Sequence, residues 1–222
     1  GYSPVEFIGL KNYIDVITDT EFIPTLLNTV KYVVYSLIVG FVPPALIAIL
    51  VNEVVHFKTG FRVLIYLPAV IPGVAANLMW YFLYYPDASG LLNQILLSLG
   101  GTEYNWLGDG RFAILYIIIA MTWQGFGATM ILYYAAVQSV STELYEAATI
   151  DGTGMWQRLW HVTIPQISGT LLLAFVNQII SVFQVLDQPM IMTGGGPNNA
   201  SASIGYQLYK YGLRVSSPSY SH

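Results

Sequence analysis

Residues 32–51, 63–85, 112–137 and 165–186 are apolar runs that contain no Asp, Glu, Lys or Arg. A helix needs about 20 apolar residues to cross the hydrocarbon core of a bilayer. Only helices and closed barrels satisfy every backbone polar group in lipid. Apolar residues are continuous in these runs rather than alternating, so they predict helices and not barrel strands. A buried soluble bundle is the competing reading. It fails on charge, since Asp, Glu, Lys and Arg together make up 9% of the chain, against about 25% in soluble domains. Too few charges remain to solvate a water-exposed surface. The expected fold is an all-α membrane protein, a polytopic helical bundle with four spans.

The same composition excludes several functions. Net charge is −4 and the basic residues do not cluster, which argues against a nucleic-acid partner. The chain has no cysteine, so disulfides, thiolate metal sites and a cysteine nucleophile are ruled out. His56, His161 and His222 are too scattered to form a metal site. No cofactor is expected. The chain begins Gly-Tyr-Ser-Pro without an initiator Met, and residues 214–222 form a polar tail, so both ends read as those of a longer protein.

Pro43-Pro44 falls in the first run, and Pro68 and Pro72 in the second. Proline removes a backbone donor and clashes with the preceding turn, so kinks are expected in both spans. The connection at 52–62 carries Lys58 and Arg62, and the connection after the third run carries Arg158. The positive-inside rule puts these two loops in the cytoplasm, although Lys11 on the opposite side works against it. Residues 5–27 read as amphipathic: Phe7, Leu10, Tyr13, Ile14 and Ile17 recur at helical spacing beside Lys11, Asp15 and Asp19. This segment is expected to lie at the outer interface, and residues 91–99 form a second short interfacial helix after the Pro86-Asp87 turn.

The connection at 141–165 has a shape of its own. Ser141 or Thr142 caps a helix whose positive end is favoured by Glu143 and Glu146. Asp151-Gly152 stops it, with Gly152 suited to a left-handed position. A second helix over 154–161 presents Met155, Trp156, Leu159 and Trp160 as one apolar face, and Pro165 opens the fourth span. Ala147 and Ala148 are small enough to let a partner backbone approach. From these features alone, a hairpin that merely joins two spans is the favoured reading over a docking element.

Glu146-Ala147-Ala148, three residues, Gly152, nine residues and then Val162-Thr163-Ile164-Pro165 is similar to the EAA motif of ABC importer permeases, E-A-A, three residues, G, nine residues, I-x-L-P. The spacing matches throughout, and the departures at Val162 and Ile164 are conservative. Asn28-Thr29, the stretch from Phe61 to Pro72 and Met192-Thr193-Gly194-Gly195-Gly196-Pro197 resemble further segments of the MalF-like carbohydrate importer subfamily. The resemblance covers residues 7–213. It implies one transmembrane permease domain over 1–222 with about six spans in the whole family member, one before Gly1 and one after Leu213.

The resemblance also implies a function. Such a permease sits in the bacterial cytoplasmic (inner) membrane beside a second permease subunit. It receives a sugar from an extracytoplasmic solute-binding protein and couples to a separate ATP-binding cassette ATPase through the loop at 139–165. Glu146, Ala147, Ala148, Asp151, Gly152 and Pro165 carry over as the docking element. The chain has no glycine-rich Lys-Ser/Thr phosphate loop, so ATP hydrolysis belongs to the other subunit and no catalytic residue is expected here.

Polar residues inside spans are candidates for the solute path. Asn177, Ser181 and Gln184 share one face of the fourth span, Asn77, Trp80 and Tyr81 lie on the second, and Gln124 stands mid-way along the third. Interhelical hydrogen bonding is the alternative role for each. A non-sugar solute remains open, as does a secondary transporter, which would require charges inside the spans. A membrane-embedded enzyme would require clustered His, Asp or Glu, and only Glu146, Asp151 and His161 come near that.

Overall fold

The computed structural model describes residues 7, 9–54 and 58–215. His56, His222 and the tail at 216–222 lie outside the described residues, as do the side chains of Lys58 and Arg62. The chain runs through α1 (Lys11–Thr18), α2 (Phe22–Ser36), a π-turn (Leu37–Phe41), α3 (Val42–Val54), α4 (Lys58–Tyr66), a 3₁₀ turn (Leu67–Val70), α5 (Gly73–Leu83), α6 (Leu91–Ser98) and α7 (Ala113–Gln138). It continues through α8 (Thr142–Ile150), α9 (Met155–Arg158), a second π-turn (Leu159–Thr163), α10 (Ile164–Phe183), α11 (Asp187–Met192) and α12 (Ile204–Val215). No strand occurs among the described residues. Three continuous helices, Phe22–Val51, Ala113–Gln138 and Met155–Phe183, are long and apolar enough to cross a membrane. The pair Val63–Val70 and Gly73–Leu83, bent by 101°, is long and apolar enough only when its two halves are taken together as one broken span.

The first span begins at Phe22 and not at residue 32, so residues 22–27 of the segment expected at the interface belong to that span. Asp19 is extended and ends α1. Its Oδ1 accepts the Glu21 N–H at 2.8 Å, which turns the chain into α2. Lys31 is exposed on this helix, and a single long cation on a helix rim can reach polar surroundings along its own stem. The apolar run appeared to start after that lysine only because the charge interrupts the pattern.

Pro43 and Pro165 in the long spans are accommodated by the same device. Val42 N–H bonds to the Leu37 carbonyl, five residues back, just before Pro43. Ile164 N–H bonds to the Leu159 carbonyl, again five residues back, just before Pro165. The extra residue in each π-turn relieves the clash between the proline ring and the turn before it. The expected kink at Pro43-Pro44 is therefore not a break, and the fourth span starts at Met155 rather than Pro165. In the second span the prolines do break the helix. Gln124 Nε2 donates to the freed Ile71 carbonyl at 2.9 Å.

The bundle is built around α7. One cluster on it gathers Tyr32, Ile117, Ile118 and Val182. The next gathers Ala48, Met130 and Tyr133, and the last gathers Ile49, Val137, Leu159 and Ile167. Lipid is as apolar as these side chains, so close fit holds such helices together more than expulsion of water does. One such close fit between helices is at Gly127, where an added Cβ would lie 2.3 Å from the Ile65 carbonyl oxygen. Gly127→Ala is expected to lower stability by about 1–3 kcal/mol, read as a lower melting temperature of the detergent-solubilised protein. An unshifted melt would show that α4 and α7 do not meet there.

The end of the bundle away from α8 is tied by side-chain amides. Asn93, fully buried, donates to the carbonyls of Tyr85, Asp87 and Tyr104 at 3.0, 3.3 and 3.1 Å. Its Oδ1 accepts the Tyr104 N–H and the Trp106 Nε1–H, both at 3.0 Å. Nearby, the Arg111 guanidinium and the Tyr104 hydroxyl hold the Asp109 carboxyl well below the usual carboxylate range. Asn28 Nδ2 donates to the Asn199 carbonyl at 2.8 Å, Tyr32 Oη to the Ser201 carbonyl at 2.9 Å, and Thr29 Oγ1 accepts the Ile204 N–H at 3.0 Å. The segments containing Asn28-Thr29 and the glycine-rich stretch thus meet in space.

Candidate docking hairpin and membrane cleft

The α8–α9 hairpin is assembled from local signals. Ser141 caps α8, its hydroxyl accepting the Glu143 N–H at 3.3 Å. At the other end Gly152 is left-handed, with φ +73°. Its N–H bonds to the Thr149 carbonyl, and the Thr153 N–H bonds to the Ala148 carbonyl, both at 3.0 Å. Gln157 Oε1 accepts the Gly154 N–H at 3.1 Å and starts α9. Glu146, Ala147, Asp151, Gly152 and Pro165 are exposed, whereas Ala148 is buried. Sequence reasoning treated Met155, Trp156, Leu159 and Trp160 as one face, but they divide. Leu159 is buried, while Trp156 and Trp160 are 64% and 62% exposed. Met155, Trp156 and Leu159 still line one small cavity of about 60 Å³ with Leu46 and Ile49 of α3, and Trp160 does not.

The polar residues in the spans have two different surroundings. Ser181 lines a cleft of about 150 Å³ between α2, α7 and α10, together with Ser36, Thr122, Gly125, Thr129 and Gln178. A Cβ on Gly40 would come within 3.1 Å of Thr122 Oγ1 and 3.3 Å of Gln178 Nε2, so this glycine lets the helices close over the cleft. Asn177 and Gln184 are exposed on α10. Asn77 and Trp80 instead pack into α5. Asn77 is buried, and its Nδ2 and the Trp80 Nε1 have no hydrogen-bond partner among the described residues. Trp80 meets Trp123 edge-on at 5.7 Å and Tyr84 at 5.3 Å. Tyr81 packs with Phe82 and Tyr85. Gln124 is engaged at the break in the second span.

Gln178, Thr122, Thr129 and Ser36 were missed by sequence reasoning. The signal was present: Thr122, Gly125 and Thr129 recur at helical spacing on one face of α7, and Gln178 adjoins Asn177.

The profile of the family described as "Binding-protein-dependent transport system inner membrane component" matches residues 34–215. This chain belongs to that family. The permease is 38% identical over 214 residues to "Probable ABC transporter permease protein YurN" of Bacillus subtilis (strain 168), covering 94% of this chain and 73% of the relative. It is 32% identical over 205 residues to "Trehalose/maltose transport system permease protein MalF" of Thermococcus litoralis, covering 92% and 69%. Among solved structures it matches a bacterial alginate ABC transporter, in complex with an alginate pentasaccharide-bound periplasmic protein, with a TM-score of 0.86 at 25% identity. That match covers 94% of this chain and 73% of the other. The permease is thus a multi-pass inner-membrane protein with a helical permease fold and is the transport subunit of an ABC system.

Proposed function

We propose that this permease imports a sugar or a related polar solute, in a complex with a second permease subunit, an ATPase and an extracytoplasmic solute-binding protein. The observation that carries the proposal is the α8–α9 hairpin. It offers Glu146, Ala147, Asp151 and Gly152 on the surface at the spacing of a docking motif, held by a capped start and a left-handed stop. On this reading residues 139–165 lie in the cytoplasm and Glu146 accepts a charge-assisted hydrogen bond from a cationic side chain of the ATPase. The alginate transporter, which pairs with a saccharide-loaded periplasmic protein, and the relative named for trehalose and maltose support a carbohydrate cargo.

The cleft at Ser36, Thr122, Thr129, Gln178 and Ser181 provides hydroxyl and amide groups suited to a neutral, hydroxyl-rich solute. Asn77, Trp80, Tyr81, Gln124, Asn177 and Gln184 would serve the path around it or support its walls. The full-length permease, reconstituted with its partners in proteoliposomes, is expected to accumulate a labelled oligosaccharide only when ATP is supplied. Gln178→Leu should lower that uptake roughly tenfold, the effect of losing one to two hydrogen bonds to solute. Normal uptake by this variant would remove the cleft from the path. One relative is named for uptake of osmoprotective compounds, which keeps a second cargo class in view. ATP-driven uptake of such a compound, with no response to sugars, would select it.

A further inference from the structure

Two side-chain hydrogen bonds join α8 to the foot of the fourth span. Tyr145 Oη and Thr163 Oγ1 are 3.0 Å apart, and Arg158 Nη1 donates to Thr149 Oγ1 at 3.0 Å. Tyr145 and Thr149 are one turn apart on the same face of α8. Their partners bracket the second π-turn: Arg158 immediately precedes it and Thr163 is its last residue. Thr163, 2% exposed, also donates its hydroxyl proton to the Arg158 carbonyl at 3.4 Å. Either hydroxyl can supply the proton of the Tyr145–Thr163 bond. A turn with one extra residue is a place where a helix can change register, and such turns cluster at functional positions in helices.

We propose that Tyr145 and Thr149 are positioning residues that pass a displacement of α8 into the Leu159–Thr163 π-turn and so into α10. Neither contacts the solute or supplies a group to the ATPase. They fasten the helix that carries Glu146 and Gly152 to both ends of the one turn in the fourth span with slack in its hydrogen bonding. Buried Leu159 inside the same turn packs against Ile49, Val137 and Ile167, so a change of register there also reaches α3 and α7. This inference rests on the hairpin being the ATPase-docking element.

The test measures solute taken up per ATP hydrolysed by the full-length permease in its complex. Tyr145→Phe keeps the ring and removes only the hydroxyl. It should lower this ratio roughly five- to tenfold, the equivalent of one hydrogen bond, with the amount of co-purified ATPase unchanged. Thr163→Val, which also removes the bond to the Arg158 carbonyl, should lower it at least as much, Thr163→Ser should restore the ratio, and the Tyr145→Phe/Thr163→Val pair should be no worse than Thr163→Val alone because both changes remove the Tyr145–Thr163 bond. An unchanged ratio in Tyr145→Phe overturns the proposal. So does loss of the ATPase from that variant's complex, since Tyr145 would then be part of the docking surface itself. Failure of the underlying docking reading would be visible earlier, as a wild-type permease that purifies without any ATPase.

Discussion

Gly152→Asp is expected to abolish solute uptake by the full-length permease while its ATPase continues to hydrolyse ATP. Gly152 has φ +73°, a region that costs a residue with a Cβ about 1–2 kcal/mol. No neighbouring atom stands within 4 Å of where that Cβ would lie. The damage therefore comes from the backbone and the charge and not from a clash. The new carboxylate would sit beside Asp151 at the C-terminal end of α8, where the helix already presents partial negative charge. Both effects unwind the stop that sets α8 against α9. Uptake and hydrolysis measured together in proteoliposomes decide the matter: a variant that transports at the wild-type rate in an intact complex would sink the docking assignment of this hairpin.

Asn93→Leu is expected to have the largest effect on folding. The substitution keeps a similar volume but strands the carbonyls of Tyr85 and Tyr104, the Tyr104 N–H and the Trp106 indole N–H, while the Asp87 carbonyl keeps the Gly90 N–H. Each buried group left unpaired costs about 1–3 kcal/mol. With some of them finding water, a total of roughly 3–5 kcal/mol follows. Trp106 also packs on Tyr104 at 5.1 Å and on Tyr116 at 5.4 Å, so the loss should spread through the aromatic cluster at the head of α7. Amide hydrogen exchange over residues 85–106 should accelerate in the variant, and its melting temperature should fall. Unchanged exchange across that segment would show that Asn93 is not its organiser.

Long apolar runs made the helices at 112–137 and the broken pair around Pro68 and Pro72 readable from sequence, because hydropathy and proline chemistry are local. The short helix at 91–99 and the left-handed Gly152 were readable for the same reason. What stayed hidden depended on compensation between residues. Lys31 disguised the start of the first span, although one exposed cation does not prevent a helix from continuing. Pro43 looked like a kink and Pro165 like the first turn of a span, but in each case a widened turn carries the helix through the proline. The cleft was hidden more deeply. Gln178, Thr122 and Ser36 come from three helices, and only the fold brings them to one place.

The hydrogen bonds between the first span and the segment before α12 also bear on how the protein is made. Asn28 and its partner Asn199 are 171 residues apart in the chain. At about 5–20 residues per second, synthesis reaches Asn199 roughly ten to thirty seconds after Asn28 has entered the membrane machinery. Until then the amide of Asn28 and the hydroxyls of Thr29 and Tyr32 lack their final partners, and unsatisfied polar groups on a spanning helix are costly. The helix that carries Asn28 is therefore made well before its hydrogen bonds can be completed. A nascent permease would lean on the insertion machinery or on chaperones over that interval, and a polypeptide released before Asn199 would expose an unsatisfied polar patch by which quality-control proteases could distinguish it from the completed protein.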